Sequence, residues 1–173
     1  MDKKSTPSQM DKGYARMLER THEIMSKSGE RLEAAVEQAR DTAHELGELT
    51  RDEAELLAQY VKRDLRDMGD HLRDENDDLR AWFHMDTELI ESSIRDLLFS
   101  VADQTSLQLA EFARAANQPA TWHTGEITAP GVLECTQCGH LMHFTQVGRI
   151  PPCAQCHHTE FRRRRDLGQA RSK

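Results

Sequence analysis

A chain of 173 residues has room for one ordinary domain, or for a helical domain and a small module. Charged residues (31%) nearly match hydrophobic ones (37%) and aromatics reach only 5%, which excludes a thick globular core and favours solvated helices packed along a narrow apolar seam. The net charge of −7 is unevenly divided: residues 1–125 hold 16 of the 23 basic and 26 of the 30 acidic residues, and residues 126–173 hold seven and four. An acidic part of net −10 is thus followed by a basic part of net +3, which implies two modules.

Residues 1–10 are polar, contain Pro7 and lack periodicity, and read as a disordered leader. No apolar core follows Lys3 and Lys4, so no secretory signal is expected, and no stretch approaches the roughly 20 apolar residues of a membrane span. The expectation is a cytoplasmic protein with reduced thiols. A heptad stripe then runs through Tyr14, Leu18, Thr21, Met25, Ser28, Leu32, Ala35, Ala39, Thr42 and Leu46, widened by Val36 and Ala43. It predicts one continuous helix whose small and hydroxylated seam needs a partner. Gly47 reads as its stop, and Thr50 with Glu53 as the capping box of a second helix.

That second helix turns Ala54, Leu57, Val61, Leu65, Met68 and Leu72 inward, leaving Asp64, Arg66, Asp67, Asp70, Arg73 and Asp74 to its solvated faces. The apolar pattern lapses over Asp74, Glu75, Asn76, Asp77 and Asp78. A third helix follows, from Leu79 or Asp86 to Ala116, with Trp82, Leu89/Ile90, Ile94, Leu97/Leu98, Val101, Leu109 and Phe112 as its stripe. Asn117, Gln118 and Pro119 end it, because proline cannot continue the hydrogen-bond ladder. Residues 11–118 are therefore expected to form an antiparallel helical bundle or coiled coil, which a second copy of the chain could complete. From 119 to 166 Gly and Pro punctuate short alternating segments, a small β module too poor in apolar residues to fold on burial alone. Residues 167–173 read as a flexible tail.

All four cysteines fall within this module, as Cys135-Thr-Gln-Cys138 and, after fourteen intervening residues, Cys153-Ala-Gln-Cys156. A disulfide framework would scatter its cysteines through the fold it staples, whereas two CxxC hooks chelate one ion. Four thiolates complete a closed tetrahedron, and on a β ribbon that donor set selects one structural Zn²⁺, a rubredoxin-like iron site being the alternative. Metal binding supplies the folding free energy that the module lacks. The second hook preceded by Pro152 resembles half of a zinc-deaminase signature, but the H-x-E element lies downstream, at His158 to Glu160, and four thiolates leave no position for water. His123, His140, His143, His157 and His158 are then supernumerary as ligands.

The run Arg162, Arg163, Arg164, Arg165 is a candidate contact to nucleic-acid phosphates or to an acidic partner. No nucleophile–base pair, phosphate loop or acid dyad stands out, so the expected function is non-enzymatic. A zinc ribbon on a coiled-coil stalk that docks on a protein partner is the leading reading, and a transcription-related, nucleic-acid-associated ribbon is the alternative.

The segments Gly47 to Arg51, Lys62-Arg63-Asp64-Leu65, Trp122-His123-Thr124-Gly125-Glu126 and Glu160-Phe161-Arg162-Arg163, with the paired hooks, resemble the YbeL-like family of bacterial zinc-ribbon-containing proteins. The resemblance runs from about residue 12 to 165. It implies a helical, coiled-coil-prone region followed by a C-terminal ribbon, with Cys135, Cys138, Cys153 and Cys156 in the metal-binding positions, and it carries no activity. His157 stands where the family usually continues its second hook with glycine.

Overall fold

The computed structural model describes residues 8–73, 79–115 and 120–164. Its helices are α1 (Gln9–Ser28), α2 (Leu32–Glu45), α3 (Arg51–Leu72), α4 (Leu79–Phe83) and α5 (Ser92–Arg114), with a single 3₁₀ turn at Thr87–Leu89. Six short strands follow: β1 (Trp122–His123), β2 (Ile127–Thr128), β3 (Gly131–Cys135), β4 (Leu141–Phe144), β5 (Gly148–Arg149) and β6 (Glu160–Arg163). This is the expected architecture, a helical region followed by a small antiparallel ribbon.

The single long helix expected over residues 14–46 is in fact two. Gly29 takes φ +65° and its N–H closes on the Met25 carbonyl, ending α1, and α2 restarts at Leu32 and packs back against it. The heptad stripe continues through the break, which is why periodicity alone hid it. Tyr14, Leu18, Thr21, Met25, Leu32, Ala35, Val36, Ala39 and Ala43 are all buried as read, whereas Ser28 and Leu46 are exposed. Helices of the same chain cover this seam, α3 lying against α1, α2 and α5. The helix also begins earlier than the expected leader allows, with Ser8 and Asp11 forming a capping box.

Thr50 and Glu53 cap α3 as predicted. The third predicted helix is divided: His84 adopts φ +52° after α4, and Glu91 caps α5 by accepting from the Ser93 and Ile94 amides. The stripe of α5 holds, with Ile94, Leu98, Val101, Leu109 and Phe112 buried, while Leu89 is exposed and Ile90 turns inward. The predicted lapse at 74–78, the helix stop at 117–119 and the tail at 167–173 lie outside the described residues, as does most of the leader.

The ribbon comprises a four-stranded sheet in the order β1-β6-β3-β4 and a two-stranded sheet β2-β5, all antiparallel. Trp122, Leu133, Cys135, Ile150, Cys153 and Phe161 form its own small core. Ile127, Ala129 and Val147 belong instead to the core of the helical bundle. The ribbon is therefore seated on the helices, and the two modules read from the sequence share one interior.

Candidate metal centre

The two hooks are built alike. Cys135 ends β3, its N–H donating to the His140 carbonyl and its carbonyl accepting from the Gly139 N–H at 3.0 Å. In the second hook Cys153 N–H donates to the His158 carbonyl and the Cys153 carbonyl accepts from His157 N–H at 2.9 Å. Each turn needs a left-handed residue after its second cysteine: Gly139 has φ +77° and His157 has φ +64°. A histidine there carries the backbone strain that a glycine avoids.

Folded this way, the hooks bring the four Sγ atoms within 4.8 Å of one another. Cys135 Sγ lies 3.6 Å from Cys156 Sγ, and Cys138 Sγ 3.6 Å from Cys153 Sγ. A tetrahedron with Zn–S bonds of about 2.3 Å has edges of about 3.8 Å, so the donor set matches the ion in identity, number and spacing. No other group of three or more metal-ligating side chains is gathered among the described residues. The five nearby histidines are not part of it.

A Zn²⁺ held by four thiolates carries a net charge of −2, and the backbone is arranged to meet it. The His140 N–H bonds the Cys138 sulfur and the His158 N–H that of Cys156. Against the opposing effect of desolvation, the Cys156 and Gln155 amides and the neighbouring thiols lower Cys153 to about 6. Although the His158 amide favours its thiolate, Cys156 is pushed up to about 12 by desolvation and by the other three sulfurs. The Cys153 thiolate thus forms readily while Cys138 and Cys156 hold their protons more tightly, so zinc uptake releases protons.

The described residues of the arginine run, Arg162 to Arg164, do not share one exposed face. Arg163 is buried at 3% exposure, a correction to its reading as a phosphate contact. β6 alternates, so Phe161 and Arg163 face inward while Arg162 faces solvent and pairs with Glu134 at 2.9 Å. Arg164 is half-buried, and Arg165 lies outside the described residues. The Arg163 guanidinium stacks over Trp82 at 4.1 Å and lies 5.5 Å from the Trp122 ring. It donates to the carbonyls of Pro130 and Ala129 and to Thr128 Oγ1, with Asp67 at 3.6 Å.

Asp64 and Asp67, read as solvated, are buried at 2% and 4%. Asp64 accepts four bonds, from Tyr14 Oη (2.6 Å), Trp122 Nε1 (2.8 Å), the Ala129 N–H (2.9 Å) and Arg63 Nε (3.1 Å). Asp67 accepts from Trp82 Nε1 at 2.9 Å. Arg63 also bonds Glu126 and the Ile127 carbonyl and lies over Trp122 at 5.0 Å. Burial opposes ionisation of Asp64, yet Arg63, Arg163, the Tyr14 hydroxyl and the Ala129 amide hold its pKa below the usual range. Burial likewise pulls Arg163 down, with Asp64 and Asp67 holding it up, and raises Tyr14 well above its ordinary value.

The segments Lys62 to Leu65, Trp122 to Glu126 and Glu160 to Arg163 thus meet in one buried, charge-paired junction between α3 and the ribbon. No helix of the described residues is long and apolar enough to cross a membrane. A family described as "Zinc-ribbon containing domain" matches residues 19–165. The chain is 30% identical over 139 residues, 80% of its length and 86% of theirs, to "Uncharacterized protein YbeL" of Escherichia coli strains K12 and O157:H7. No solved structure matches it. The chain belongs to this zinc-ribbon family, and its four-cysteine centre fits one structural Zn²⁺.

Proposed function

We propose that the protein is a non-enzymatic, cytoplasmic adaptor whose zinc ribbon and helical bundle together present a rigid surface to a protein partner. One observation carries this reading: the ribbon is fixed to α3 through the buried Asp64, Asp67 and Arg163 junction, so its outer face keeps a set orientation to the helices. Four thiolates close the coordination sphere, leaving the ion no position for a substrate or an activated water. The stripe that a second copy could have completed is covered by helices of the same chain, and the described surface left for recognition is mostly polar and charged, with Leu46, Leu56, Leu89 and Leu107 as its exposed large apolar side chains.

The nucleic-acid reading loses its main support with Arg163 buried and Arg162 already paired with Glu134. Equilibrium binding of the zinc-loaded protein to RNA and DNA across a salt titration separates the two. The adaptor reading expects no salt-sensitive binding that depends on Arg162 and Arg164, and expects a crosslinked partner, once purified, to bind the wild type and not Cys153→Ser. Binding to either nucleic acid that weakens with salt and is lost in an Arg162→Ala, Arg164→Ala double variant would overturn it.

A further inference from the structure

We propose that zinc at the ribbon controls the stability of the helical bundle, with Arg163 as the latch that transmits metal occupancy to α3. The geometry begins at the hooks. Cys135 is the last residue of β3 and Cys156 stands four residues before the start of β6, so an ion shared by the two pins both strands at one end. The register places Cys135 opposite Phe161 and Leu133 opposite Arg163. Arg163 is thus two residues along the ladder from a metal ligand, on the inward face.

Register is the quantity that the metal fixes. A slip of one residue between β3 and β6 would turn Arg163 to solvent and bring a neighbour inward. β6 is only four residues long, and its N-terminal neighbour β1 pairs with it over two, so backbone bonds alone hold this register weakly. The seat for the guanidinium is correspondingly exact in shape. A Cβ on Gly131 would lie 2.0 Å from Arg163 Nη1, so the strand opposite has been left without a side chain where the cation enters.

The far end of the latch lies on α3. Arg163 stands beside Asp67 and contributes to holding Asp64 ionised, and both carboxylates are buried in the helical bundle. When the strand end is unpinned and Arg163 withdraws, Asp67 and Asp64 remain in the interior with one cation fewer. A buried carboxylate that loses its partner destabilises the element that carries it. The helices α1, α2 and α5 all pack on α3, so the effect spreads through the bundle.

The molecule supplies its own reporter, because its two tryptophans, Trp82 on α4 and Trp122 on β1, both lie against Arg163. The test follows helical melting by circular dichroism at 222 nm, with tryptophan emission, on the full chain under reducing conditions, zinc-loaded and after chelation with EDTA. In the wild type, zinc removal is expected to lower the helical midpoint by at least about 5 °C and to shift the emission to the red. In Arg163→Met, the zinc-dependent change in midpoint is expected to fall below about 2 °C. An unchanged wild-type midpoint on chelation would overturn the proposal, as would an undiminished zinc dependence in Arg163→Met. Hydrogen exchange on the wild type gives a readout that needs no variant. Chelation is expected to speed exchange at least tenfold at residues 61–68 of α3, and acceleration confined to residues 120–164 would refute the latch.

Discussion

Replacing Asp64 by asparagine keeps shape and volume while removing one acceptor oxygen and one charge, which isolates the role of the buried carboxylate. Oδ1 accepts from Trp122 Nε1 and Arg63 Nε, and Oδ2 from Tyr14 Oη and the Ala129 N–H. The best placement of the amide leaves its oxygen toward Trp122 and Arg63 and turns its NH₂ toward the other two. The Tyr14 hydroxyl rotates and accepts, but the Ala129 N–H faces another donor. One orphaned buried amide costs about 1–3 kcal/mol. Removing a charge that faces the fully buried Arg163 costs up to about 3–5 kcal/mol, and Asp67 retains part of that pairing. The expected loss at neutral pH is therefore about 3–5 kcal/mol, a fall of roughly 10 °C in the zinc-loaded melting midpoint. Urea unfolding followed at 222 nm measures it. The pH dependence supplies an independent sign. Arg63 and Arg163 hold Asp64 below its unfolded value, so its contribution is present above about pH 4 and is lost as pH falls through the lower folded pKa. Asparagine has no such titration, and the gap between wild type and variant must narrow in acid. A loss below about 1 kcal/mol at pH 7, or a gap that widens on acidification, would refute the reasoning.

Cys153→Ser should take zinc, counted by native mass spectrometry, from one ion per chain to none. Zinc affinity of the wild type should fall as pH is lowered, because protons compete for thiols such as Cys156, and a chelator-competition titration between about pH 8 and 6 checks it. His157→Gly should relieve left-handed strain of about 1–2 kcal/mol, partly offset by glycine's greater chain entropy, and so tighten zinc about two- to fivefold in the same assay. Leu98→Asp, at 1% exposure, should abolish the folded bundle by circular dichroism, whereas the adjacent, partly buried Leu97→Asp should leave a measurable melting transition.

The metal centre was legible because its chemistry is local: two residues between thiols set each hook, and thiolate number alone implies a closed tetrahedron. The helical seam was legible through its period, and the Thr50–Glu53 box marked a true helix start. The break at Gly29 was not, because the heptad phase survives it and a lone glycine is tolerated within helices. The junction was missed for a different reason. Asp64 lies three residues after Val61 and seven after Leu57, and Asp67 three further on, so both sit within the buried stripe of α3. Charge was allowed to override position. Inward alternation of Phe161 and Arg163, and two indole N–H groups in need of acceptors, were the signals that could have paired these acids with the ribbon.

Seating a small ribbon on a bundle through apolar contact alone would leave its orientation loosely defined, since Ile127, Ala129 and Val147 offer a small surface and no direction. The charged groups supply that direction. Asp64 is met by donors from α1, α3, β1 and the segment after β2, and no rotation of the ribbon keeps all four in reach. Such a junction is costly to desolvate, and well-packed apolar residues in place of Asp64, Asp67 and Arg163 could match its stability. What they could not reproduce is the dependence on register. An apolar side chain on β6 tolerates sliding over an apolar surface, whereas a guanidinium entering between Gly131 and Trp82 has one seat. An apolar triple variant of equal melting temperature should therefore lose the chelator sensitivity of the helices while keeping zinc. That outcome would assign the buried charges to communication between metal and bundle; retained sensitivity would assign them to stability alone.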